Sequence, residues 1–320
     1  MDVPCLRIAM EKDIASTIPI DSPGVNIKEI AEKVKLPEEP LLRILRKLCF
    51  TGVFREPSPR VIAHTTYSAF LKNKAHIWKD FYLHLSDESF KVAGYLPEAL
   101  NLWGFDFDKF QKSELKTAFN LAFRTDQHMF EWLYSPEDFQ LRGSRFGRAM
   151  MGVSRNFLSD ANQIHDWSVY KKGDKIVDVG GGVGYLGSLI KKKVNPGVEV
   201  IVQDLPEVIA EGKEQGFGNQ LTFQAHDFFT TQPVKGAKVY TLRFILHDWP
   251  DTISRTILSN IVKAMDKESK VLVLDFVWPS DEFWATGKDD ETIIEAHDSR
   301  RNFDESRNHQ MLQMLGMNSR

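Results

Sequence analysis

A glycine-rich segment at residues 178–184, with the sequence DVGGGVG, could hold a nucleoside-type ligand. Glycines in such a turn let a ligand approach the backbone without obstruction by side chains. The dinucleotide pattern GxGxxG, if it began at Gly182, would leave Gly180 and Gly181 inside a strand, where glycine is weak. The alternative pattern DxGxGxG, which begins at Asp178, keeps the strand intact and suits a ligand that carries an ammonium group. A purely structural turn is the third interpretation of this segment.

Two acidic positions follow at spacings that fit the rest of a nucleoside. Asp204 comes about 20 residues after the glycines, where a carboxylate can accept hydrogen bonds from both ribose hydroxyls. The structural alternative is a helix N-cap, because Pro206 follows directly. Further along, Asp227 could accept a bond from the exocyclic amine of adenine while Phe228 covers the ring. The structural alternative is a polar turn beside core phenylalanines, which would have the same sequence.

A histidine in the segment RFILHDWP is the candidate for proton transfer. A lone histidine is more often a structural residue, but His247 follows a predicted strand at the place where we expect the sheet to change direction. This position favours a general base. His165 and His226 are interpreted as structural.

The predicted strands and helices determine where these candidate residues lie. Short β-branched runs predict strands at residues 175–179, 198–203, 221–224, 238–242 and 270–277. Helical patterns lie between them at residues 186–193 and 252–265. The alternation predicts a parallel α/β sheet with right-handed crossovers. Ligands of such sheets bind beyond the carboxyl ends of the strands, which is where the candidate residues lie.

The sequence predicts three regions, namely residues 1–72, 73–165 and 166–320. In the first, a capping box from Asn26 to Glu29 starts a helix, a leucine-rich helix follows, and a hairpin closes the outline of a winged helix. The second is helical and rich in aromatic residues. These aromatics could serve helix packing or a dimer interface, or could line a pocket for a flat apolar ligand.

Composition and charge narrow the function classes. The 320 residues carry a net charge of −3, which gives no support for a nucleic-acid partner. The two cysteines, Cys5 and Cys49, form no framework and suit a reducing compartment. The sequence shows neither a membrane span nor a signal peptide nor a cluster with metal-ligand spacing. We therefore expect a cytoplasmic protein that needs no metal.

The motifs VDVGGGVG, VQDLPEV, HDFF and LRFILHDWPD, in this order, resemble the S-adenosylmethionine-dependent O-methyltransferases of the plant caffeate and fungal secondary-metabolite type. The stretch AFRTDQHMFEWLYSPEDF resembles the fungal branch, and the likeness covers nearly the whole chain. It implies a Rossmann-like methyltransferase sheet behind a winged-helix-like dimerisation domain. It also implies S-adenosyl-L-methionine as cofactor, a hydroxylated aromatic substrate and a homodimer.

The resemblance assigns roles to individual positions. It implies cofactor contacts from Gly180 in the loop, Asp204 on the ribose, Asp227 and Phe228 on the adenine, and Arg243 as a basic contact. It implies His247 as the general base and Asp275 as the acid that orients it. That acid is usually Glu, so Asp275 is one methylene shorter.

Two rival functions stay open, and the sequence also leads to two structural expectations. The chain could be a cofactor-binding relative that is inactive or catalyses another reaction, or a winged-helix regulator that senses a metabolite. Residues 26–60 carry eight Lys or Arg against five Glu, a modest net charge of +3 for a DNA reader. Relatives continue beyond Arg320 into further strands, so we expect an uncovered fifth strand and weak activity. Residues 280–308 are expected to form a mobile surface loop over the site or to be disordered.

Overall fold

The computed structural model describes residues 2–104, 116–157, 160–214 and 220–275. The chain divides into two compact units, residues 1–153 and 154–320. The candidate site lies in the second unit, so the first is described only briefly. Within the described residues, no helix is long and apolar enough to cross a membrane.

The first unit begins with short helices and a small antiparallel sheet. The helices are α1 (Val3–Glu11), α2 (Ile14–Thr17), α3 (Ile27–Val34) and α4 (Glu38–Phe50). The strands β1 (Val25–Asn26), β2 (Phe54–Ser58) and β3 (Val61–His64) pair in the order β1-β3-β2. The predicted leucine stripe is buried, at Leu41, Leu42, Leu45 and Leu48. This order of elements follows the predicted outline, while the winged-helix assignment stays a prediction.

The predicted capping box at the start of α3 is only half present. Asn26 Oδ1 accepts a hydrogen bond from the Lys28 N–H at 3.0 Å and so caps the helix. Glu29 makes no reciprocal bond to Asn26 among the described contacts, since the cap closes on the second residue of the helix and not the third.

The rest of the first unit is helical. Its helices are α5 (Thr66–His84), α6 (Phe90–Ala93), α7 (Leu96–Trp103), α8 (Ala118–Phe123), α9 (Met129–Leu133) and α10 (Ser144–Phe157). Two π-helical turns, Leu85–Ser89 and Phe139–Gly143, interrupt the series. Buried Arg145 pairs with Asp87 at 2.8 Å and with buried Glu88, an ion cluster that ties α10 to the first π-helical turn.

The second unit is the predicted parallel sheet. Its strands are β4 (Lys175–Val179), β5 (Glu199–Asp204), β6 (Thr222–Ala225), β7 (Val239–Arg243) and β8 (Lys270–Leu274), in the order β6-β5-β4-β7-β8. The helices α11 (Tyr185–Lys191), α12 (Pro206–Glu214) and α13 (Asp251–Val262) connect them. All neighbouring strands pair in parallel. The predicted fold class is confirmed.

The strand order places the ends of β4 and β7 together. The chain runs outward from β4 to β5 and β6, then returns to β7 on the other side of β4. Val179 therefore pairs with Gln203 on one side and with Leu242 on the other. In sheets of this kind the crevice for ligands opens at such a reversal. Both faces of the central strands are buried, as the continuous apolar runs predict.

The fifth strand is shorter in the described residues than the sequence predicts. β8 ends at Leu274, and among the described strands it forms the edge of the sheet. The predicted continuation to residue 277 and the expected loop at residues 280–308 lie outside the described residues.

Candidate functional site

The glycine loop begins where β4 ends, so strand KIVDV is intact up to Val179. This agrees with the DxGxGxG register. Gly180 has a φ of +67°, and a Cβ there would lie 2.4 Å from Ile245 Cδ1. Gly182 has a φ of +58° but open space around it. The loop therefore needs glycine at Gly180 for both conformation and space, and at Gly182 for conformation.

Asp204, at the end of β5, binds the glycine loop. Its Oδ2 accepts a hydrogen bond from the Gly182 N–H at 2.8 Å, and its Oδ1 accepts one from the Leu205 N–H at 2.8 Å. Burial raises the pKa of Asp204 to about 6, although these two backbone bonds act in the opposite direction. Each oxygen keeps a lone pair, so the carboxylate can still accept bonds from a diol.

Asp178 lies beneath the loop and is almost fully enclosed, with 1% of its surface exposed. Its Oδ1 accepts a hydrogen bond from Thr241 Oγ1 at 2.8 Å, whereas its Oδ2 has no hydrogen-bond partner in the described part of the chain. Burial raises the pKa of Asp178 to about 6. A buried acceptor without a donor costs free energy, and a cationic ligand would relieve that cost.

The predicted adenine contacts lie just beyond β6. Phe228 Cε1 is 3.7 Å from the Cβ position of Gly180, so the structure brings this ring to the glycine loop. The same ring meets Phe229 and Trp249 edge-on, with centroids 4.8 and 6.0 Å apart. Asp227 is exposed and its Oδ1 accepts a bond from the Phe229 N–H at 2.9 Å, which stabilises the turn. Asp227 therefore serves the turn whether or not it also binds a ligand.

Arg243 is the last residue of β7. Its Nη2 donates to the Ser154 carbonyl at 3.4 Å, and its guanidinium lies 4.6 Å from the centre of the Phe244 ring. Burial lowers its pKa, while the charge of Asp178 acts to raise it. The predicted basic contact is thus close enough to Asp178 for the two charges to interact.

His247 and Asp275 meet across the ends of β7 and β8. The Nδ1–H of His247 donates to Asp275 Oδ1 at 2.8 Å, and the His247 backbone N–H donates to Asp275 Oδ2 at 3.1 Å. The shorter acid therefore reaches the imidazole. On the other side of the ring, Nε2 lies 3.5 Å from Asp248 Oδ1. These two carboxylates, Asp248 first and Asp275 second, raise the pKa of His247 to about 10.

Sequence reasoning missed two residues here. Asp248 is adjacent to His247 in the sequence, but only the structure shows that its carboxylate lies near Nε2 of His247. Phe244 carries no local sequence signal, because its positive φ and its ring contact with His247 depend on the folded structure. Among the described residues, no group of three or more His, Cys, Asp or Glu side chains is placed to hold a metal ion.

The chain is similar to known methyltransferases. A family model described as an O-methyltransferase domain matches residues 106–314. The O-methyltransferase penK of Penicillium thymicola is 36% identical over 278 residues, which cover 85% of this chain and 61% of the relative. The O-methyltransferase pgmB of Aspergillus terreus is 31% identical over 286 residues, 87% of this chain and 78% of the relative. This chain spans about three-fifths of the length of penK and of two further fungal relatives.

Solved structures show the same fold. OxaC in complex with SAH and oxaline is 25% identical, with a TM-score of 0.74, over 88% of this chain and 71% of that one. A protein described as a pericyclic reaction enzyme is 26% identical, with a TM-score of 0.68, over 90% of this chain and 74% of that one. Similarity of this kind therefore extends to proteins described by different reactions.

Proposed function

The chain belongs to the O-methyltransferase family, and we propose that it transfers a methyl group from S-adenosyl-L-methionine to a hydroxyl of an aromatic or polyketide-type small molecule. One observation carries this proposal, namely that two reactive groups lie at the ends of neighbouring strands. A His–Asp pair stands at the ends of β7 and β8, and an unsatisfied buried carboxylate stands at the end of the neighbouring strand β4. The first arrangement can handle a proton, and the second can hold a cation.

The residues at the strand ends fit this cofactor. S-adenosylmethionine brings an ammonium group, a ribose diol, a flat adenine and a positively charged sulfur whose methyl group is a strong electrophile. Asp178 offers an acceptor without a donor, Asp204 offers lone pairs on both oxygens, and Phe228 offers a ring beside Gly180. We assign Asp227 and Arg243 to the same site, as the family resemblance implies.

His247 deals with the proton of the acceptor hydroxyl in this proposal. Asp275 accepts the Nδ1–H of His247, which leaves Nε2 as the ring nitrogen that can meet the acceptor hydroxyl. A hydroxyl that binds at Nε2 must take the place that Asp248 Oδ1 holds at 3.5 Å. Asp275 is thus the orienting acid, and Asp248 is the group that the acceptor displaces.

Binding of the acceptor changes the charge state that His247 favours. A phenol titrates near ~10, so in water at neutral pH only about one molecule in a thousand is ionised. Asp248 is the largest cause of the raised pKa of His247, so a hydroxyl that displaces its carboxylate from Nε2 lowers that pKa. The neutral imidazole can then accept the hydroxyl proton as the methyl group is transferred, and Asp275 stabilises the imidazolium that forms.

Partners and location rest on further features. We propose that the protein forms a homodimer. The proposal is supported by large, exposed apolar side chains in the first unit, which are Phe50, Tyr67, Phe90, Leu102 and Leu141. Cys5 and Cys49 are free thiols, which supports a cytoplasmic location. Two salt bridges within the first unit argue against DNA binding, because they neutralise arginines there: Arg46 pairs with Glu56, and Arg60 pairs with Glu38.

The second candidate function is a reaction other than methylation on the same bound cofactor. It is favoured by the likeness to the pericyclic reaction enzyme and by the imidazolium character of His247, which can donate a hydrogen bond without removing a proton. In this case Asp248 would keep its place and the acceptor would need no hydroxyl.

One experiment separates the candidates. Calorimetry with S-adenosylmethionine and S-adenosylhomocysteine measures binding, and mass spectrometry of a panel of phenols and hydroxylated polyketides measures transfer. Binding together with a methylated product supports the first candidate. Binding with conversion of the acceptor but no mass gain supports the second. Failure to bind either cofactor form refutes both.

A further inference from the structure

Phe244 occupies a backbone conformation that its side chain disfavours. Its φ is +55°, in the left-handed region, although the residue is neither Gly nor Asn. A bulky residue is rare there, and the conformation persists only where the surroundings enforce it. Such residues concentrate at functional sites. Phe244 lies between Arg243, the expected cofactor contact, and His247, the expected base.

The contacts of Phe244 link both strands of the His–Asp pair. Its N–H donates to the carbonyl of Leu274 at 2.9 Å, and Leu274 directly precedes Asp275. Its ring is parallel to the imidazole of His247, with an interplanar angle of 3° and centroids 5.8 Å apart. The turn that enforces the strained φ therefore also places an aromatic face against the imidazole.

The geometry points to Phe244 as a positioning residue whose ring fixes the plane of the His247 imidazole, so that Nδ1 stays on Asp275 and Nε2 stays turned away from it. This inference rests on the proposed function of the His–Asp pair. A side chain of similar size without a ring would leave the imidazole free to rotate about its last torsion, which is broad.

The ring also contributes electrostatically. The charged groups around the imidazole are Asp275, which follows β8, and Asp248 on the same turn, while the Arg243 guanidinium lies 4.6 Å from the centre of the Phe244 ring. An aromatic face attracts a cation, so the ring stabilises imidazolium over neutral imidazole. Removal of the ring should lower the pKa of His247 by about 0.5, the equivalent of a weak cation–π contact.

Three substitutions separate the effect of the aromatic ring from the effect of the strained backbone. Phe244→Tyr keeps the ring, Phe244→Leu keeps bulk and strain without the ring, and Phe244→Gly removes the ring but accepts the positive φ. Phe50→Leu is the matched control, since it removes an exposed ring that also contacts a cation, Lys47, at 5.3 Å. Thermal unfolding and calorimetry with S-adenosylhomocysteine verify that each variant is folded.

Nitrogen-15 NMR of labelled histidine gives the decisive readout, with the His247 signal assigned by its loss in His247→Gln. In Phe244→Leu and Phe244→Gly we expect the His247 imidazole to titrate at a lower pH and no longer to keep its Nδ1–H bonded to Asp275 in a single form. The affinity for S-adenosylhomocysteine should stay within about twofold of the parent. Phe244→Tyr and Phe50→Leu should titrate like the parent. On any phenol that is methylated, kcat should fall about tenfold with an unchanged KM.

Unchanged His247 titration in both Phe244→Leu and Phe244→Gly would overturn the inference, because the ring would then have no influence on the imidazole. A change in Phe244→Leu alone would overturn it as well, since both variants lack the ring and its loss could then not be the cause. The titration needs no substrate, so absence of methyl transfer refutes the proposed function without deciding the role of Phe244.

Discussion

Binding of S-adenosylhomocysteine should weaken steeply as the pH falls from 7 to 5. The two carboxylates proposed to hold the cofactor, Asp178 and Asp204, both have a pKa raised to about 6 by burial. In the ionised form each accepts strong, charge-assisted hydrogen bonds from an ammonium group or a diol, whereas protonation removes the charge and turns one oxygen into a donor. Over the same interval the amino and carboxylate groups of the ligand keep their charges, so the protein's carboxylates dominate the pH dependence.

The magnitude follows from the two pKa values. A carboxylate with a pKa near 6 is about 90% ionised at pH 7 and about 10% ionised at pH 5, so each one lowers the affinity about tenfold. Two of them together give about 100-fold, or ~2.7 kcal/mol. Because both pKa values are raised in the folded protein, the free energy of unfolding contributed by these groups increases as the pH falls through 6 towards 4. Loss of binding at pH 5 would therefore not reflect unfolding caused by them.

The assay is calorimetry at fixed ionic strength, with circular dichroism as the check on folding. Asp204→Asn should bind more weakly at pH 7 and retain only about a tenfold pH dependence, because one titrating carboxylate remains. His226→Asn is the control, since His226 lies beside Asp227 and is the other titratable group at this strand end, with a pKa lowered by burial. If the parent shows the same affinity at pH 5 and pH 7, or if His226→Asn alone removes the dependence, the assignment of both carboxylates is refuted.

Three further outcomes are expected. His247→Gln should lower methyl transfer by about 10²–10⁴-fold and leave the affinity for S-adenosylhomocysteine unchanged, as kinetics and calorimetry together would show; full activity would remove His247 from the proton-handling role. Asp275→Asn should lower the pKa of His247 in an NMR titration, because a neutral amide replaces the anion at Nδ1; an unchanged titration would contradict the pairing. Gly180→Ala should lose about 1–3 kcal/mol more unfolding free energy than Gly173→Ala, because both have a positive φ but only the first meets Ile245; equal losses in denaturant titrations would show that the loop tolerates a side chain there.

Local patterns were enough to predict the sheet. Strand β4 matches its predicted bounds, and β5, β6 and β7 lie within one residue of theirs, because short β-branched runs flanked by glycine, proline and charged residues leave few alternatives. The helices are less well bounded, since α13 ends at Val262 where the pattern extends to residue 265. Helix ends depend on caps and fraying, which apolar periodicity does not encode.

The sequence names candidate site residues, whose roles stay predictions, but it does not predict the geometry that joins them. Position after a strand was sufficient to single out Asp204 and His247, because parallel strands end at one edge. The distance from His247 to Asp275 depends on the register of β7 and β8, where Arg243 pairs with Leu274. The positive φ of Phe244 follows from tertiary contacts alone, and no local propensity predicts it.

The proposed division of labour follows from where the charges lie. Asp178 and Asp204 carry raised pKa values on β4 and β5, so burial disfavours these two anions until a partner arrives. His247 carries a raised pKa beyond β7, so its cation is favoured before any ligand binds. Methyl transfer joins an anionic oxygen to a cationic methyl donor, and both charges disappear. In partly buried surroundings the attraction between the oxygen anion and the cationic methyl donor is weakly screened, which favours a reaction that neutralises both. Substitutions on the carboxylate side should therefore change binding first, and substitutions on the imidazole side should change turnover first.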